Sequence, residues 1–162
     1  MKKKVIIGLI LLLGLINFPV YAKEMESFQI GENINITKPI DSSNLVIGNN
    51  IKANSIIDGT NIVLGNNISL ANSQDNIFAM GNNIVLEEVL TKDAFLAGTY
   101  INVKKSNIRD LYIVGESINI ESNINRNMYI GGENITIDSE IDGDVKIAAE
   151  NITIGPNTNI LG

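Results

Sequence analysis

The sequence predicts an all-β, single-stranded β-solenoid, and three observations carry that prediction. A glycine-led segment returns about every 17 residues, apolar side chains alternate with a period of two inside each unit, and the composition leans to Ile and Asn with no Trp, Cys or His. Ile favours strands and Asn favours turns. A chain of 162 residues holds one ordinary domain or one compact repeat array.

The first segment reads separately. Lys2, Lys3 and Lys4 form a positive n-region, Val5 to Ile16 an apolar stretch, and Pro19 precedes Val20, Tyr21 and Ala22, with small residues placed for signal-peptidase cleavage after Ala22. The expected organisation is a signal peptide over residues 1–22, a short lead-in over 23–30 and a repeat domain over 31–162. Retention as a membrane anchor is the alternative; the stretch is close to the shortest that spans a bilayer and is interrupted by Asn17 and Pro19, which favours cleavage. The expected location is therefore outside the inner membrane, in the envelope or beyond the cell, with membrane attachment only if the segment stays uncleaved.

Removing the three leading lysines from the 12 basic residues leaves 9 against 18 acidic ones, a net charge of −9. Such a surface repels phosphate backbones, which argues against nucleic-acid binding. Without cysteine, the domain must bury its core by packing and not by disulfides.

The repeat is read from its glycines. Gly31-Glu32-Asn33-Ile34 returns at Gly48, Gly65, Gly81, Gly98, Gly115 and Gly132, and finally as Ala149-Glu150-Asn151-Ile152, with spacings of 17, 17, 16, 17, 17, 17 and 17. That period is too short for a helix pair or a propeller blade but fits one coil of a β-helix, about eight coils in all. Stacked at roughly 4.8 Å, they would make a rod of about 35–40 Å.

Three sides per coil suggest a triangular section. Three and five residues after the glycine stand apolar pairs expected to face inward, among them Ile101/Val103, Ile118/Ile120 and Ile135/Ile137. A second strand precedes each glycine, with expected inward pairs Leu45/Ile47, Ile62/Leu64, Ile77/Ala79, Ala94/Leu96, Leu111/Ile113, Met128/Ile130 and Val145/Ile147. Between them Val46, Val63, Phe78, Phe95, Tyr112, Tyr129 and Lys146 are expected to point outward. The third side contributes Ile40, Ile57, Leu90, Ile108, Ile124 and Ile141. The coil opened by Gly65 is one residue short, so an irregularity is expected over residues 71–76.

The units Gly115-Glu116-Ser117-Ile118-Asn119-Ile120 and Gly132-Glu133-Asn134-Ile135-Thr136-Ile137, then Ile141-Asp142-Gly143-Asp144-Val145-Lys146-Ile147 and Ile154-Gly155-Pro156-Asn157, resemble the bactofilins, or polymer-forming cytoskeletal proteins, over residues 31–162. The resemblance implies a right-handed β-helix that assembles into filaments without nucleotide or metal, largely through the ends of its stacks. The leader and the lack of flanking tails set this chain nearer to exported relatives with the same coil.

Catalysis finds little support. Without His or Cys, acyl transfer, cysteine nucleophiles and the usual zinc sites lose their side chains. The best carboxylate cluster, Asp138, Glu140, Asp142 and Asp144 with Lys146 nearby, suits a turn between strands at least as well as polysaccharide cleavage. No cofactor and no metal are expected. Glu116, Glu133 and Glu150 occupy one place in successive coils and form an acidic column, which a hard cation could bridge or water could solvate.

Phe78, Phe95, Tyr112 and Tyr129 form the sharpest surface feature, an aromatic ladder in four consecutive coils, extended by Val46 and Val63 in this reading. It either stabilises the sheet or serves as an interface, for another stack or for glycan rings. The Asn33, Asn50, Asn67, Asn83, Asn134 and Asn151 ladder reads as corner chemistry, with left-handed backbone and amides bonded along the column.

The expectation for function is an exported, non-enzymatic scaffold that self-associates end to end, by completing an open strand edge, or side by side. A surface module binding polysaccharide or protein through the ladder is the competitor, and a polysaccharide-active enzyme comes third. Because the sequence stops at Ile160-Leu161-Gly162 in mid-coil, either the last coil meets a partner or more chain follows.

Overall fold

The computed structural model describes residues 27–73 and 75–162; the expected signal peptide lies outside the described residues. Nine strands follow in order, β1 (Ser27–Ile36), β2 (Asn44–Ile57), β3 (Asn61–Ser73), β4 (Ile77–Glu87), β5 (Leu90–Ile124), β6 (Met128–Ile137), β7 (Glu140–Ile141), β8 (Val145–Ile154) and β9 (Asn159–Ile160). Every pairing is parallel, and β1, β2, β3, β4, β5, β6 and β8 stack in chain order as a β-solenoid of about 8 turns. The 17-residue step appears directly in the register: Ile34 pairs with Ile51, Ile51 with Ile68, and Ile118 with Ile135.

The apolar pattern explains the winding. Ile101, Ile118 and Ile135 are each 2% exposed and belong to one continuous interior, joined by Leu86, Val103, Ile120 and Ile137 from the next inward position. The glycine marks a corner. A Cβ on Gly115 would lie 2.6 Å from the Gly98 carbonyl oxygen and 3.2 Å from Ile101 Cδ1, so there is no interior room for a side chain where the chain leaves one side for the next. Alternation breaks there, because the two residues after Gly115, Glu116 and Ser117, both face solvent.

The register corrects the parity expected for the second and third coils. Val46 and Val63 are buried, at 0% and 1% exposure, while Leu45 and Ile62 stand in the column that continues into Phe78. Leu45/Ile47 and Ile62/Leu64 are therefore not inward pairs. Asn44 and Asn61 take the other inward positions of those coils and are fully buried, with Asn44 Nδ2 3.5 Å from Asn61 Oδ1.

The third side is less regular. Ile57, Ile108, Ile124 and Ile141 are buried as expected, but Leu90 is 59% exposed and Val89 and Thr91 are buried on either side of it. Glu88, at φ 56°, inserts an extra residue before Val89 and reverses the alternation; Lys105, at φ 50°, does the same one coil later. The short coil is irregular where expected, with Asn72 at φ 60° and a register shift between Asn54 and Ile57.

Candidate functional site

Two outward positions of the side preceding the glycine make one face. Its first column, three residues before the glycine, runs Phe28, Leu45, Ile62, Phe78, Phe95, Tyr112, Tyr129 and Lys146. Its second, one residue before the glycine, runs Ile30, Ile47, Leu64, Met80, Ala97, Val114, Gly131 and Ala148. Both follow from strand alternation: each position shares its direction with the residue two along, and stacking repeats it in the next coil.

The four aromatic rings are brought together as the sequence suggests. Phe78 and Phe95 have centroids 4.7 Å apart, Phe95 and Tyr112 4.6 Å, and Tyr112 and Tyr129 5.1 Å, with interplanar angles of 3°, 3° and 4°. Lys146 ends the stack with its Nζ 5.4 Å from the Tyr129 ring centroid, a cation–π contact. Near-parallel rings mean that this face hardly twists across four coils, the flatness that side-chain ladders sustain. They also mean that the ring faces cover one another and the edges point out. A sugar ring stacking on an aromatic needs a free face.

Beside the stack lies a shallow apolar groove of about 610 Å³, floored by Leu96, Ile113 and Ile130 and walled by the aromatic rings, Met80 and Val114. Met80 and Val114 are 60% and 66% exposed, high values for apolar side chains on one flat surface. Lys146 brings the only charge among the groove-lining residues.

Glu116, Glu133 and Glu150 fall on the rim next to this face, one residue after the glycine position, and all are exposed. In the amino-terminal coils that rim carries Glu32 and Asn49, where Asn49 Nδ2 donates to Glu32 Oε1 at 3.0 Å. Among the described residues no group of three or more acidic side chains is arranged to hold a metal ion.

The Asn ladder bonds along the stack. Asn50 donates to Asn33 at 2.8 Å, Asn67 to Asn50 at 2.7 Å, Asn83 to Asn67 at 2.7 Å and Asn151 to Asn134 at 3.0 Å. Left-handed backbone is not its reason: among the described non-glycine residues positive φ occurs at Asn72, Glu88 and Lys105, none of them in the ladder. Tyr100 and Ser117 interrupt it.

The carboxylate cluster separates. Asp138 accepts from the Asn157 backbone N–H at 2.7 Å and from its Nδ2 at 2.8 Å, fixing the turn after β8. Asp142 and Asp144 are exposed, and the Asp144 N–H donates to Asn127 Oδ1. This is turn chemistry.

Two polar ladders, one of them buried, escaped the sequence reading. Ser106, Ser122 and Ser139 line an inner corner, and each hydroxyl accepts, at 3.1 Å, the backbone N–H of the preceding coil's Val89, Ser106 or Ser122. Their spacing of 16 and 17 residues was the available signal. At another corner Arg109 binds both oxygens of Asp93, and Arg126 and Asn127 converge on Asp110, whose side chain is 1% exposed. Burial pushes the Asp110 carboxyl up, but the hydrogen bond and charge of Arg126, with further donors, outweigh it and hold the group below the usual carboxylate range.

Both ladders tie coil to coil, and the three serines also line a polar cavity of about 710 Å³ together with Lys105, Glu121 and Glu140. The chain matches no protein-family model, no curated protein and no solved structure, so what the apolar face can do follows from its own geometry.

Proposed function

We propose that this chain is an exported, non-enzymatic scaffold protein of the cell envelope or cell surface, related to the bactofilins, that self-associates side by side through its flat apolar face. The observation that carries it is the pair of columns headed by the aromatic stack. Met80 and Val114 remain 60% and 66% exposed beside rings locked edge-out, leaving a continuous apolar strip that a lone soluble stack has no reason to keep.

Burying that strip against a second one removes apolar surface from water without ordering any loop, since the β ladder already fixes both columns. The rings favour a protein surface over a glycan, because only their edges are offered. The polar chemistry is used inside the fold, in the Asn, Ser and Arg–Asp ladders, which supports a structural role. Export is supported by the leader, with its lysines, apolar stretch and small residues before Lys23.

Sedimentation and electron microscopy of the full chain over a concentration series test self-association. Assembly that grows with concentration and is abolished by Val114→Glu is expected; a wild-type chain that stays monomeric throughout would refute it. Cell fractionation with amino-terminal sequencing tests export, with a mature protein beginning at Lys23 as the expected result and an intact, cytoplasmic chain as the contrary one.

A further inference from the structure

Along the apolar face the second column is graded in size. Its amino-terminal half is uniformly large, with Ile30, Ile47, Leu64 and Met80, and its carboxyl-terminal half is small at Ala97, Gly131 and Ala148, with Val114 the exception. Such a gradient along a flat stack makes the surface a poor match to itself in one direction and a good match in the other.

We infer that two copies pair face to face with their solenoid axes antiparallel, about a two-fold axis that lies along the strand direction between the fourth and fifth coils. This pairing rests on the self-association proposed above and specifies its geometry. A two-fold axis along the strands lays each column over its own counterpart and reverses the coil order, so large meets small in three of the four pairs: Met80 lies over Ala97, Ile47 over Gly131, and Ile30 over Ala148, while the fourth sets Leu64 over Val114. In the aromatic column the same operation sets Phe28 over Lys146, a second cation–π pairing, and packs Phe78 against Phe95 at the axis.

On the rim, reversal puts the carboxylates of Glu116 and Glu133 opposite the amides of Asn66 and Asn49, where acid meets donor, and Glu150 opposite Glu32, where acid meets acid. Pairing with parallel axes exchanges the two edges of the face instead, stacking bulk on bulk in the amino-terminal coils, as with Phe78 over Met80, while the carboxyl-terminal coils set Phe95 over Ala97 and Tyr129 over Gly131. The two halves of the face would then need different separations, and that wedge opposes it.

The size of the face is sufficient. Five residues of strand give a width of roughly 15 Å and eight coils a length of about 35–40 Å, so a pair covers about 1,100 Å², above the roughly 1,000 Å² of a specific interface.

The chain has no native cysteine, which makes cross-linking clean. Ile47→Cys and Gly131→Cys are prepared as separate full-length proteins and oxidised alone and mixed; a Cβ at Gly131 meets nothing nearer than Val114 Cγ2 at 4.0 Å, so the fold accepts the change. The mixture is expected to form the disulfide-linked pair at least about tenfold more than either protein alone. A size swap gives an independent readout: Gly131→Leu should weaken association by about tenfold or more, and Ile47→Ala in the same chain should restore it.

Cross-linking of Ile47→Cys to Leu45→Cys, without the mixed product, would mean parallel axes and overturn the inference while leaving the face as the interface. Assembly that persists with no cross-link in any combination, and is indifferent to Gly131→Leu, would overturn the inference and move self-association to another surface. A chain that stays monomeric removes both.

Discussion

The rings of Phe95 and Tyr112 lie with centroids 4.6 Å apart and planes within 3° of parallel, each in a different coil of the same solenoid. That contact is the coil spacing made visible in side chains, since parallel neighbouring strands lie about 4.8 Å apart. Phe95 also stacks on Phe78, so it makes two ring contacts. Phe95→Ala is expected to cost about 1–3 kcal/mol, two aromatic contacts at about 0.5–1.5 kcal/mol each, read by urea denaturation of the full chain. No loss of stability would mean that the stack serves assembly alone.

Gly115 and Gly131 should respond oppositely to the same change. Gly115→Val drives a side chain toward the Gly98 carbonyl oxygen, 2.6 Å from the new Cβ, and is expected to cost about 3 kcal/mol or prevent folding. Gly131→Val points into open space on the apolar face and should leave stability within about 0.5 kcal/mol of the parent. Thermal melts of the two proteins compare them directly.

These glycines were also what made the fold legible. Their period, with Ile101, Ile118 and Ile135 in step, is enough to set coil length, coil number and the interior of the side that follows each glycine. The preceding side was harder in the second and third coils. Leu45, Val46 and Ile47 are all apolar, as are Ile62, Val63 and Leu64, so period-two alternation fits either parity, and the polar Asn44 and Asn61 at the true inward positions favour the wrong one. The glycine offset settles it, because Leu45, Ile62 and Phe78 all stand three residues before a glycine. On the third side, Glu88 and Lys105 turn through positive φ with no Gly or Asn to announce it. The aromatic ladder was visible in the sequence; the apolar column beside it was not, because its Ala97, Gly131 and Ala148 carry little hydrophobic signal alone.

Asn44 and Asn61 offer a stability test. Asn44 Oδ1 and Asn61 Nδ2 are buried without a hydrogen-bond partner, in a column that continues as Ile77 and Ala94. Replacing both with valine removes two unsatisfied groups and is expected to be neutral or to stabilise by about 1 kcal/mol, whereas Asn61→Val alone should destabilise by leaving Asn44 unpaired. Urea midpoints of the single and double variants give the answer.

Asp110 sets a limit on acid tolerance. Its carboxyl is held below the usual range in the folded chain, so the folded state binds its proton less readily than the unfolded state does. The stabilisation from this group is therefore present above the ordinary carboxylate pKa, and is lost as pH falls through the lower folded value. The stability difference between wild type and Asp110→Asn should be greatest at neutral pH and shrink below about pH 4. A difference that stays constant from pH 7 to pH 3 would show that the Arg126 and Asp110 pair adds nothing beyond hydrogen bonding.

The most direct test is a distance ruler along one column. Spin labels on Glu32→Cys and Glu150→Cys, seven coils apart at equivalent exposed positions, should lie about 34 Å apart in dilute full-length protein, and labels on Glu116→Cys and Glu150→Cys about 10 Å apart. Distances in proportion to the number of coils between the labels are the predicted result. Distances unrelated to that number would contradict a backbone that winds once per repeat.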